Sequence, residues 1–182
     1  MKSLARAIEV LLEWLLICLM VALTVIVVVA VIYRKMDASL VWYDEVASIV
    51  LSWITYYGAA LAALKRKHIG FDSILLALPT RLRLAGAWLA ELVVLGFFVL
   101  LAWAGWQVLE VLEGETLVSL TWVPVQLTQS VIPIGAALFI VCELLSMPGY
   151  LRSIALGQSA EHQEIEAEVN LHMQAASGEQ RP

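Results

Sequence analysis

A run of 20 residues without a charge, WLLICLMVALTVIVVVAVIY, occupies residues 14–33 of this 182-residue chain. As an α-helix, at 1.5 Å per residue, such a run reaches about 30 Å, which is the thickness of the hydrocarbon core of a bilayer. Backbone amide and carbonyl groups cannot stay unbonded in lipid, so the run predicts a helix. Three more uncharged runs follow at 46–64, 92–109 and 116–142. The sequence therefore predicts an all-α integral membrane protein with four transmembrane helices.

The composition agrees with a membrane protein. Hydrophobic residues make up 62% of the chain and charged residues 15%, whereas a soluble domain averages about 25% charged residues. This balance excludes a soluble globular enzyme and a disordered chain. There are 11 Lys and Arg against 16 Asp and Glu, so there is no basic surface to hold the phosphates of a nucleic acid.

The distribution of cations predicts the orientation of the spans. We expect spans at about 12–33, 46–64, 86–109 and 120–143, within a membrane domain of residues 1–156. Cytoplasmic loops carry most of the Lys and Arg of a membrane protein. With the N-terminus inside, the cytoplasmic segments hold nine of these cations and the outer loops hold two. Both termini are therefore expected in the cytoplasm.

The loop after the second span carries an amphipathic pattern. Its sequence, KRKHIGFDSILLALP, places apolar side chains at i, i+3, i+4 and i+7, on one helical face. We expect a short helix at about 71–78 that lies flat in the cytoplasmic interface, beside cations that favour anionic headgroups. The residues expected to anchor the chain there are Arg66, Lys67, His68, Phe71, Asp72, Ile74, Leu75 and Leu78. The acidic segment 157–182 is expected to be a partly disordered cytoplasmic tail.

Side chains that usually carry chemistry are scarce in the spans. All three histidines lie outside them, so haem ligation within the bundle is not expected. The sequence has no Cys/His metal spacing, nucleotide-binding loop or nucleophile motif. We expect no catalysis, no cofactor or metal, and no substrate-binding site in this chain.

Glu91 is the candidate for an ionisable group at membrane depth, where such groups are costly without a partner or a function. It follows Arg83 by eight residues, about 12 Å along a helix. Three interpretations stay open: a position near the inner headgroups on a long tilted helix, a pair with a cation of a partner subunit, or proton coupling.

Small residues permit close packing in the second span. Two pairs of small residues are each four positions apart on one helical face: Gly58 with Ala62, and Ala59 with Ala63. Their contact is either within this bundle or on another chain. In the fourth span, Pro133 predicts a kink because it frees a backbone carbonyl. Polar side chains that can satisfy the freed groups are Gln126, Thr128, Gln129 and Ser130.

Several motifs occur together along about residues 9–152. They are Arg34 after the first span, Trp42, Asp44 and Glu45 at the second, KRKHIGFD at 65–72 followed by Leu78 and Pro79, and Pro124 with IPIG at 132–135. With them the chain resembles the small membrane subunit of tripartite ATP-independent periplasmic (TRAP) transporters, the DctQ-like family.

The resemblance implies a sodium-driven importer of organic acids such as dicarboxylates or sialic acid. A soluble periplasmic protein would capture the solute, and a large membrane subunit would carry the substrate and sodium sites. The small subunit would brace the large one and help to dock the soluble one. Expected docking residues are Trp42, Asp44, Glu45, Glu113 and Glu115. Residues expected to pack on the large subunit are Gly58, Ala59, Ala62, Ala63, Glu91, Pro133 and Gly135.

Two other functions are weighed against this one. The first is a self-sufficient exporter, an antiparallel homodimer with Glu13 or Glu91 as a proton-coupled site. It requires a near-zero Lys and Arg bias, and the nine-to-two bias opposes it. The second is a membrane anchor for a redox enzyme, which the lack of intramembrane histidine opposes.

Overall fold

The computed structural model describes residues 2–66 and 78–157. Over these ranges the chain forms helices α1 (Lys2–Lys35), α2 (Tyr43–Lys65), α3 (Thr80–Val111), α4 (Val125–Gln129) and α5 (Val131–Ala155). The two ranges contain no strand, and their only sheet-like feature is an isolated bridge between Thr116 and Pro124. The predicted all-α architecture is confirmed for them.

The described residues contain four segments long and apolar enough to cross a membrane: Ser3–Lys35, Tyr43–Lys65, Thr80–Val111 and Val125–Ala155. The predicted number of spans is therefore confirmed by length and composition. The first helix begins well before the apolar run, because charged residues such as Arg6 and Glu9 are good helix formers and continue the helix beyond it.

The fourth span starts later than expected. Residues 112–124 form turns, bends and the isolated bridge, and α4 begins directly after its N-cap residue Pro124, where the missing N–H removes no helical hydrogen bond. Helix α4 is separated from α5 by Ser130, one turn before Pro133. Pro133 has no N–H for the carbonyl of Gln129, which explains an interruption at this place.

Two compact units make up the chain. The first takes in the described residues of Met1–His68 and Val93–Ser146, and the second takes in those of Ile69–Leu92 and Met147–Pro182. In the first unit α1 packs along α2. Its core cluster consists of Leu12, Ala60, Ala63, Phe139 and Cys142.

The core of the first unit also joins α3 to α5. The rings of Phe98 and Phe139 are stacked with their centroids 3.6 Å apart. In the second unit Ala87 and Ile154 are fully buried. There Arg83 Nη1 donates to the carbonyl of Ile154 over 3.3 Å, and this bond ties the start of α3 to the end of α5.

Candidate functional site

Lys65, the last residue of α2, binds two carboxylates on α1. Its Nζ lies 3.2 Å from Glu9 Oε1 and also donates to Glu13 Oε1. Glu9 and Glu13 are four residues apart, so both lie on one face of α1 and share the ammonium group. This contact ties the end of α2 to the first part of α1. About a third of each of these side chains is exposed.

Arg66, the next residue, turns back onto α5. Its backbone is left-handed (φ 52°, ψ 33°), and its N–H caps α2 on the carbonyl of Ala63. Arg66 Nη1 lies 2.9 Å from Glu143 Oε1, and Nε donates to Ser146 Oγ over 2.8 Å. The two charged side chains are only 20% and 8% exposed. An arginine–carboxylate pair with further hydrogen bonds is the kind of ion pair that proteins bury.

Glu45 organises the other end of α2 with different chemistry. Its Oε1 accepts a hydrogen bond from Val118 N–H (3.1 Å), and its Oε2 accepts one from Ser119 N–H (2.9 Å). The Ser119 hydroxyl also donates to Oε2. Successive backbone amides that converge on an anion form a small cradle for negative charge. We call this contact of Glu45 with Val118 and Ser119 the Glu45 clasp.

The loop held by the Glu45 clasp is closed by its own backbone. Val125 N–H donates to the carbonyl of Glu115 over 2.9 Å, and Leu117 N–H donates to that of Val123 over 3.0 Å. A further bond of 2.9 Å runs from Val123 N–H to the carbonyl of Leu120. Residues 118–122, which we call the loop tip, are therefore fixed by backbone bonds as well as by the clasp.

The loop tip displays apolar side chains. Leu117 points inward and is 8% exposed, whereas Val118 and Trp122 are 92% and 79% exposed. The loop therefore has a buried anchor and an uncovered apolar surface.

Three of the polar side chains predicted to satisfy the carbonyl that Pro133 frees donate to other backbone carbonyls. Gln126 Nε2 donates to the carbonyl of Leu109 over 2.9 Å, in the last turn of α3, where helix carbonyls lack partners of their own. Trp53 Nε1 donates to the carbonyl of Thr128 over 3.1 Å. The hydroxyl groups of Thr128 and Ser130 donate to carbonyls three residues earlier in the chain.

The predicted docking residues differ in how the structure uses them. Trp42 is half-buried at the N-cap of α2, and Glu45 forms the clasp. Asp44, Glu113 and Glu115 are exposed. Docking through these residues stays a prediction. Sequence reasoning missed Ser119, whose partner lies 74 residues away, because no local pattern marks such a contact.

The small residues predicted to contact the large subunit are used partly within the chain. Ala63 is fully buried in the core cluster, and Ala59 packs against that cluster. A Cβ on Gly135 would lie 2.7 Å from Tyr56 Cβ, so α5 and α2 touch there. A Cβ on Gly58 would meet nothing within 4 Å. For Ala59, Ala63 and Gly135 the structure therefore shows contact within the bundle, one of the two alternatives that the sequence left open.

Other predicted packing residues are placed as follows. Pro133 is buried, and a Cβ on Gly105 would lie 3.1 Å from its Cδ. Ala62 is half-buried. In the second unit Glu91 is 5% exposed and lies one turn from the buried Ala87. Contact of any of them with a large subunit stays a prediction.

The predicted interfacial helix falls almost entirely outside the described residues. This is the case for Lys67, His68, Phe71, Asp72, Ile74 and Leu75. Arg66, expected at the lipid surface, directs its guanidinium to Glu143. Leu78 lies in a bend before α3, and its carbonyl accepts a 3.2 Å bond from Arg83 Nη2.

By length and composition, the four apolar segments indicate a multi-pass membrane protein. Its polar side chains join helices to one another and to a loop. Across residues 2–66 and 78–157 there is no group of three or more His, Cys, Asp or Glu side chains that could hold a metal ion.

The family model of the DctQ component of tripartite ATP-independent periplasmic transporters matches residues 23–148. The chain belongs to this family, as its motifs indicated. DctQ proteins are transporter components, not enzymes, and they function with a large TRAP subunit and a binding protein. Membership and the four apolar helices indicate a multi-pass inner-membrane protein. No curated protein matches the sequence.

Proposed function

We propose that this chain is the scaffold subunit of a sodium-driven TRAP importer of organic acids, of the dicarboxylate or sialic-acid type. It braces the large membrane subunit, which carries the substrate and sodium sites. It also helps to dock the periplasmic solute-binding protein. The chain itself has no role in binding the solute, sodium or a cofactor.

The uneven burial of the helices is the observation that carries this proposal. In the most apolar stretch of the first span only 6% of the residues are buried, against 39% in the last span. The last span is thus the most buried of the four, and α1 keeps most of its apolar surface uncovered. Such a surface suits lipid or another membrane-embedded chain.

The polar contacts support a bracing role as well. Lys65 and Arg66 tie α2 to α1 and α5 at one end, and the Glu45 clasp ties α2 to a loop at the other. A helix tied at both ends, as α2 is, resists the sliding and tilting that a moving neighbour would impose. For the exporter alternative, Glu13 loses support as the proton-coupled site, since it is bonded to Lys65.

The proposed orientation places both termini in the cytoplasm. The nine-to-two bias of cations supports it. The pairs of Lys65 and Arg66 then belong to the cytoplasmic end, and the Glu45 clasp belongs to the periplasmic end. The segment 71–78, by its amphipathic pattern, anchors the cytoplasmic end in the lipid interface.

Reconstitution with defined components tests the scaffold role. The large membrane subunit is placed in vesicles with or without this chain, and uptake of a radiolabelled organic acid is driven by a sodium gradient with binding protein outside. We expect uptake only when all three proteins are present, and co-purification of the two membrane chains. Equal uptake by the large subunit without this chain would refute the scaffold role, and so would transport by this chain alone.

A further inference from the structure

The carboxylate of Glu45 is hydrogen-bonded to groups of its own chain. Both of its oxygens accept hydrogen bonds from the loop, at 3.1 Å from Val118 N–H and 2.9 Å from Ser119 N–H, and the Ser119 hydroxyl binds as well. Hydrogen bonds to a charged acceptor are stronger than those between neutral groups. A carboxylate held in this way shapes its own loop and has little capacity left for a partner.

The loop tip has the properties of a preformed contact surface. Val118 and Trp122 are 92% and 79% exposed although the backbone around them is closed by hydrogen bonds. Tryptophan is among the residues that concentrate binding energy in protein interfaces. A contact loop that is already ordered loses less conformational entropy on binding.

The charge of the segment that carries the loop tip favours a protein partner over a membrane surface. The segment 84–151 contains no Lys or Arg, whereas Glu110, Glu113 and Glu115 stand just before the tip. Anionic headgroups attract basic segments and repel acidic ones. A protein surface with an apolar centre and a basic rim is complementary to this region.

We propose that Glu45 is a positioning residue: through the Glu45 clasp it holds the loop tip in the shape in which Val118 and Trp122 contact an apolar, basic-rimmed patch of the soluble solute-binding protein. This inference rests on the docking role proposed above. It assigns the contact to the loop tip and makes Glu45 act through the loop.

The test uses the reconstituted three-component transporter, with the concentration of binding protein varied. The variants are Glu45→Gln, which weakens the clasp, and Val118→Ser, which alters only an exposed tip side chain. Asp37→Asn is the matched control, because it removes one negative charge from the loop between α1 and α2. Asp37 has a left-handed backbone (φ 56°), which asparagine also tolerates.

The expected result is a split between affinity and rate. If the docking-competent loop falls to about a tenth of the population in Glu45→Gln, the half-saturating concentration of binding protein rises about tenfold. The maximal uptake rate at saturating binding protein stays the same. Val118→Ser also raises the half-saturating concentration, and Asp37→Asn leaves it unchanged.

A spin label reports the loop itself. Thr121 is exposed at the loop tip, so a nitroxide is attached at Thr121→Cys in a Cys18→Ser background. We expect the label to become more mobile in Glu45→Gln and to keep its mobility in Val118→Ser and Asp37→Asn. We also expect it to be more accessible to a water-soluble nickel complex than to oxygen dissolved in lipid.

Three results would overturn the inference. One is a mobile label in Glu45→Gln with an unchanged half-saturating concentration. Another is an equal rise in Glu45→Gln and Asp37→Asn, which would assign the effect to charge alone. The third is a label reached mainly by oxygen, which would place the tip in lipid. Failure of the proposed function looks different, since uptake by the large subunit with binding protein would then be the same with and without this chain.

Discussion

The two ends of α2 are held by opposite kinds of contact. At its C-terminal end, Lys65 and Arg66 bind carboxylates on α1 and α5, so these contacts are ion pairs between helices. At its N-terminal end, Glu45 accepts hydrogen bonds from backbone amides and a hydroxyl, so this contact joins a charged side chain of the helix to neutral polar groups of a loop. The ion-paired end fixes how the helices pack, whereas the clasped end fixes the shape of a loop.

The comparison also separates two ion pairs that are neighbours in sequence. Lys65 and its partners are about one-third exposed, while Arg66 and Glu143 are mostly buried. Exposed ion pairs contribute little because water screens them. Loss of one partner of a buried pair is costly because the other charge stays in a poor solvent.

The largest effect is expected for Arg66→Met. It removes the guanidinium from the buried Glu143 carboxylate and from Ser146, and the expected loss is about 3 kcal/mol of unfolding free energy. Denaturant titration of the protein in detergent measures it. The double variant Arg66→Met with Glu143→Met should recover most of the loss. Equal stability of Arg66→Met and wild type would show that this end is not held by the pair.

A smaller loss is expected for Gly135→Ala, in the helix contact between the two ends. The new Cβ would lie 2.7 Å from Tyr56 Cβ, which is bonded directly to the α2 backbone and cannot swing away. Overpacking of this kind costs about 2 kcal/mol. Gly96→Ala is the control, since a Cβ there meets nothing within 4 Å. The contact would be less tight than described if both variants had the same melting temperature.

Glu45→Ala is expected to act on the loop more than on the whole protein. Hydrogen bonds to a charged group contribute about 1.5–3 kcal/mol, so the amides of Val118 and Ser119 should exchange at least about tenfold faster. Hydrogen–deuterium exchange measures this, with the amides of α1 as an internal reference. Uniformly faster exchange across the chain would instead indicate that the clasp supports the whole fold.

The smallest effect is expected for Lys65→Met. The ammonium group and its two carboxylates are partly solvated, so the loss should stay below about 1 kcal/mol. The difference from wild type should shrink further as salt is added, because salt screens exposed charges. Unfolding in detergent at low and high ionic strength measures both. A loss as large as that of Arg66→Met would erase the distinction between the two pairs.

Several features of the site could be predicted from the sequence. The proline at position 133 predicted a kink in the fourth span, and the helix is interrupted at Ser130, three residues before it. The polar residues before the proline predicted side-chain bonds to the backbone, and the hydroxyl groups of Thr128 and Ser130 donate to the carbonyls of Val125 and Leu127. The small residues of α2 predicted close packing, and Ala63 is fully buried. These features depend on neighbours within a few turns of one helix.

The helical character of the chain and its four spans follow from local composition alone. Lipid offers no hydrogen bonds, so any apolar stretch of sufficient length becomes a helix wherever its neighbours lie. The partners of Arg66 and Glu45, 77 and 74 residues away, follow from no such local rule. They depend on how each helix is rotated and which ends meet, and only the packing of all the helices together sets that geometry.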